Sequence, residues 1–148
     1  VRMTDERAVS VAVTHALTVA ISTVLVSGLI VGAGTLLESQ QQNVGEQQLE
    51  EIGSDAVSYV NTFDRLNATG DDVNASVEPE YPERIVGSFR YTIQLNDGSL
   101  VVRSVQLDRS VEFPIETDVA IGESGISGAD AKISLCEGEE ITLGGCDL

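Results

Sequence analysis

"RMTDERAVSVAVTHALTVAISTVLVSGLIVGAGTLLES" (Arg2–Ser39) sets a short charged start against thirty residues, Ala8–Leu37, whose only ionisable side chain is His15. At about 1.5 Å of rise per residue, about 20 residues cross the hydrocarbon core of a bilayer, and thirty make a rod of about 45 Å. A secretory signal has an apolar core of about 7–15 residues ending at a small-residue cleavage site. This run continues without a break, so it reads as a membrane-length helix that is retained. Arg2 and Arg7 precede it and no Lys or Arg follows until Arg65. That asymmetry places the N-terminus in the cytoplasm and the remainder outside, a single pass with an extracellular C-terminal part.

The chain has 148 residues, which beyond the apolar run leaves enough for one small domain. It carries 24 acidic residues against seven Arg and a single Lys, for a net charge of −16. Nucleic acid and anionic lipid head groups need clustered positive charge, so this balance argues against both as partners. In molar salt the Debye length falls to about 3 Å and repulsion among carboxylates is largely screened. The acidity and the near absence of Lys therefore read as adaptation to high salt.

Beyond the run, Leu49, Ile52, Ala56, Tyr59, Phe63 and Leu66 recur at spacings of 3, 4, 3, 4 and 3, one face of an amphipathic helix. Residues 38–66 are expected to extend the first helix. Gly45 and Gly53 each cost about 1 kcal/mol relative to Ala and mark expected bends or interruptions. Residues 67–83 read as a loop, and the period then changes. Phe89, Tyr91, Ile93 and Leu95 alternate with polar residues, Asn96-Asp97-Gly98-Ser99 supplies turn chemistry, and Leu100 resumes the apolar pattern, which predicts a β-hairpin. "VEFPIETDVAIG", "AKISLCEG" and "EITLGG" predict three further strands. The fold class is α+β: a long N-terminal helix, 9–37 and then 38–66, followed by a small antiparallel β domain over 84–148.

Cys136 and Cys146 enclose "EGEEITLGG". Outside a membrane a disulfide between them is favoured over two free thiols. Asn67-Ala68-Thr69 and Asn74-Ala75-Ser76 are N-glycosylation sequons. Catalytic residues, cofactors and metal are not expected. The single His lies in the apolar run, no nucleophile has an evident base, and a zinc site needs about four ligands. Glu137, Glu139 and Glu140 read as a solvated acidic turn rather than a cation site.

Within Arg2–Ser39, "DERAVSVAVTHALTVAISTVLVSGLIVGAGTLL" resembles the N-terminus of haloarchaeal type IV pilins and pilin-like proteins, whose short charged leader ends in Arg-Ala before a long hydrophobic helix. The resemblance implies cleavage by a membrane prepilin peptidase at Arg7-Ala8, with residues 1–8 as leader and Val9 as first mature residue. It further implies a membrane-inserted precursor whose helix packs with other pilin subunits into the core of a surface filament, β domain outward. Val11 stands where major pilins of the group show proline, so the resemblance points to a minor pilin or a pilin-like protein of unknown assembly. The residues agree independently. At 100° per residue Ser10, Thr14, Thr18, Ser22, Gly28 and Gly32 share an arc of about 120°, and Gly28 and Gly32 form a GxxxG that permits close helix contact. The alternative is a single-span anchor presenting the β domain for binding.

Overall fold

The computed structural model describes the backbone over residues 3–70 and 73–146, and side chains over 10–70 and 73–146. The chain divides into two compact units, Val1–Gln40 and Gln41–Leu148. Its first element, α1, is an unbroken helix over Met3–Asn67. The earliest proline is Pro79, so nothing before it removes a backbone donor from the helical ladder. The helix closes at Asn67 with Arg65 in its last turn, near the negative end of the helix dipole. Beyond it the Thr69 hydroxyl donates to the Leu66 carbonyl at 2.7 Å.

In the second unit the buried stripe of α1 is Leu49, Ile52, Ala56, Val60 and Phe63. Tyr59 is only half-buried and Leu66 is 42% exposed. The expected face therefore needs correction at its end. A strict 3-4 repeat has a period of 3.5 and drifts about 20° per seven residues on a 3.6-residue helix. By Leu66 the drift has carried the pattern off the core, and the stripe passes through Val60 instead. Gly45 and Gly53 are corrected too, since both lie on this buried face within continuous helix. A Cβ at Gly53 would run into the ring of Phe113, and one at Gly45 into the Leu107 side chain. These glycines let the helix approach its neighbours closely.

The remainder of the unit folds into two four-stranded sheets. One contains β1 (Ala75–Val77), β7 (Ile133–Cys136), β8 (Glu140–Leu143) and β5 (Ala120–Ile121), in the order β1-β7-β8-β5. The other contains β4 (Arg109–Pro114), β3 (Ser99–Ser104), β2 (Thr92–Asn96) and β6 (Ser124–Ser127), in the order β4-β3-β2-β6. All pairings are antiparallel except the two-residue pair of β5 with β8. The expected hairpin is β2–β3, turning at Asp97-Gly98, where Gly98 takes φ +84°. Its inward residues, Ile93 opposite Val102 and Leu95 opposite Leu100, are fully buried. The expected loop over 67–83 is corrected by β1, which pairs with β7 from Ala75 opposite Leu135 to Val77 opposite Ile133. The segment read as "VEFPIETDVAIG" is two strands, β4 and β5, and β6 in "SGIS" has too little apolar content to announce itself. One core joins the α1 stripe to Ile85, Tyr91 and the inner residues of both sheets.

Candidate functional site

The first unit is the part of the molecule whose surface demands an explanation. Every side chain from Ser10 to Gln40 is exposed, among them Val11, Val24, Leu25, Leu29 and Ile30. Among the described residues one helix is long and apolar enough to cross a membrane, and it is this one, near the N-terminus. Six of its hydroxyls donate within the helix. Thr14 donates to the Ser10 carbonyl at 2.9 Å, Thr18 to Thr14 at 2.9 Å, Thr23 to Val19 at 2.8 Å and Ser27 to Thr23 at 2.8 Å. Thr35 donates to Gly32 at 3.0 Å and Ser39 to Thr35 at 3.0 Å. Hydroxyls bonded back to the preceding turn need no water, so these six can lie in lipid or against other helices without being orphaned.

Gly28 and Gly32 sit on this surface, and a Cβ built at either meets nothing within 4 Å. No part of the single chain uses the space they leave. Arg7, Ala8 and Val9 lie on the helical backbone of α1, and their side chains are outside the described residues.

In the second unit Cys136 and Cys146 are joined, with Cα atoms 5.6 Å apart, so that the bond ties the end of β7 to the segment after β8. Both sequon asparagines lie beside the β7–β8 turn. Asn67 is the half-buried last residue of α1, with its Oδ1 next to Gly138, and the exposed Asn74 accepts the Glu137 N–H through Oδ1 at 2.8 Å. Asn67 ends α1 rather than standing in the expected loop, whereas Asn74 is exposed in the segment between α1 and β1. Glu137, Glu139 and Glu140 are all exposed, and among the described residues no three His, Cys, Asp or Glu side chains converge as metal ligands. Tyr81 donates to Asp55 at 2.9 Å, and burial first, then that carboxylate, raises its pKa well above the usual value. Burial pushes the Tyr91 phenol up to about 12 while its hydroxyl donates to the Pro82 carbonyl at 2.8 Å. These phenols hold the 79–82 segment against the core.

One feature escaped the sequence reading. Arg84, Arg90 and Arg103 line a groove of about 460 Å³ at the end of the β4-β3-β2-β6 sheet where β2 begins and β3 ends. Arg103 lies directly opposite Thr92 across the β2–β3 pair, and Thr92 opposite Ser127 across β2–β6. The two-residue turn at Asp97-Gly98 fixes the first of these pairings, so the signal was present once the hairpin was placed.

No curated protein and no solved structure matches this chain. A family model does match, over residues 4–144, a span that includes the apolar helix and the β unit. The chain belongs to the family of unknown function DUF7266.

Proposed function

We propose that the protein is a pilin-like structural subunit: a membrane-inserted precursor whose N-terminal helix packs with other subunits into a filament core and whose β unit faces outward. The observation that carries this reading is the length of exposed apolar helix. Thirty residues make about 45 Å, whereas a bilayer offers about 30 Å of hydrocarbon. Absorbing the excess by tilt alone needs an angle of about 48°, beyond the roughly 0–40° range of spanning helices. Lipid leaves part of the rod uncovered, and partner helices cover it. Internally bonded hydroxyls and the open surface at Gly28 and Gly32 suit such partners.

The topology belongs to the same proposal. Arg2 and Arg7 hold the N-terminus in the cytoplasm, and the Cys136–Cys146 bond fits an oxidising exterior for the β unit. A prepilin peptidase removes the leader after Ala8, freeing the rod's end to leave the bilayer. The second reading, a single-span anchor that displays the β unit for binding, shares the membrane helix and differs in processing and assembly.

N-terminal sequencing of the protein from its native membrane separates them. The expected mature start is Val9-Ser10-Val11-Ala12, an uncut leader favours the anchor, and a start beyond Leu37 overturns both. A Cβ at Gly32 meets nothing within 4 Å, so Gly32→Leu adds its bulk on an open helix surface. It is expected to spare export and processing but lower incorporation into sheared surface filaments several-fold, and undiminished incorporation would contradict packing through this face.

A further inference from the structure

We infer that the arginine-lined groove at the Thr92–Arg103–Ser127 end of the β4-β3-β2-β6 sheet is a binding site for a short carboxylate-bearing saccharide. Only six of the eight basic side chains lie beyond residue 40, against 21 of the 24 acidic ones. Three of those six line this single groove, with Glu83 as its only carboxylate. Of the other three, Arg109 pairs with Glu46 at 3.4 Å and Lys132 with Glu78 at 3.1 Å, while Arg65 stands in the last turn of α1 without an ion pair among the described residues. Arg84, Arg90 and Arg103 form no ion pair among the described residues. Three arginines that line one groove of a strongly acidic unit, without ion-pair partners among the described residues, gain from a bound oxyanion. The arginine fork matches a carboxylate in paired hydrogen bonds.

The surroundings are built and already in place. The Arg90 N–H donates to Gln106 Oε1 at 2.7 Å, and the Arg90 carbonyl accepts from the buried Ser104 hydroxyl at 2.8 Å. Tyr91 anchors the Arg84 side by its bond to the Pro82 carbonyl. Gly128 lets the β6 end close on the Tyr91 ring, where a Cβ would collide. Thr92 and Ser127 stand in the row beside Arg103, and hydroxyls both donate and accept, which arginine cannot. The ligand that uses both chemistries carries a carboxylate on a hydroxylated frame. A volume of about 460 Å³ lies at the small end of ligand sites, and the surrounding negative charge disfavours a long polyanion. The site serves a filament subunit and a membrane-anchored display protein equally, so it stands apart from the assembly proposal.

The test is calorimetric titration of the full chain in detergent micelles with trigalacturonate, with maltotriose as the neutral counterpart. The acidic probe is expected to bind, at least about tenfold more tightly than maltotriose, and more weakly as NaCl rises. Arg90→Gln and Arg103→Gln should each weaken it about tenfold with the thermal transition retained, while Arg65→Gln, on α1 and away from the groove, should leave it unchanged. Absence of trigalacturonate binding, equal affinity for the neutral sugar, or indifference to both groove substitutions overturns the proposal. Self-association that depends on these arginines, without saccharide binding, also overturns it and gives the groove to a second copy of the chain.

Discussion

The glycines of α1 carry two opposite meanings. Gly28, Gly32 and Gly34 border open space, whereas Gly45 and Gly53 sit where side chains of the β unit press against the helix. Replacing an exposed helical glycine by alanine gains about 1 kcal/mol in helix propensity. At Gly53 that gain is outweighed, because the new methyl would overlap the Phe113 ring and overpacking costs about 1–3 kcal/mol. Gly53→Ala is therefore expected to lower the thermal midpoint of the full chain in micelles, while Gly34→Ala leaves the melting of the β unit unaltered. A Gly53→Ala variant as stable as the parent would show that the Phe113 contact yields without cost. Val86, with φ +49°, is a second position fixed by its neighbours, since its N–H donates to Gln48 Oε1 at 2.7 Å.

Among the elements, the β7–β8 hairpin is tied to the rest of the unit by covalent and hydrogen bonds. The Cys136–Cys146 bond closes a ten-residue separation across it, the Val73 carbonyl accepts the Gly138 N–H at 2.9 Å, and Asn74 caps the Glu137 N–H. Through these bonds the chain leaving α1 is clipped to the hairpin turn. Cross-linking a loop of this length restricts the unfolded chain by about 2–3 kcal/mol. Intact mass should rise only when alkylation follows reduction, and the reduced protein should unfold at correspondingly lower denaturant concentration. Free alkylation of both thiols without reductant would contradict the pairing.

On the scale of the whole molecule, a net charge of −16 is accompanied by only two ion pairs among the described residues, both partly exposed. Exposed pairs contribute about 0–1 kcal/mol each, so they do little against the summed repulsion. Screening acts on all the carboxylates together. The full chain in micelles should gain cooperative stability as KCl rises toward molar concentration, read as an increasing thermal midpoint. Equal midpoints at low and high salt would remove the argument for adaptation to a saline setting.

The sequence by itself determined the long helix, the β2–β3 hairpin and the α+β layout, because each rests on local chemistry: an uninterrupted apolar run, a strict alternation, and turn residues that need positive φ. The pairing of Cys136 with Cys146 followed from there being two cysteines and one favoured environment. Which glycine bends and which admits a neighbour could not be read locally, since propensity is the same at Gly34 and Gly53 and only Phe113, sixty residues later, tells them apart. The same holds for β1, three residues that become a strand because β7 supplies its partners, and for the burial of Val60 over Leu66. The groove combines both levels. The hairpin register set Arg103 beside Thr92, but only the tertiary fold brought Arg84 from the preceding segment and Ser127 from β6 to the same end of the sheet, because those contacts are long-range and carry no periodic mark in the chain.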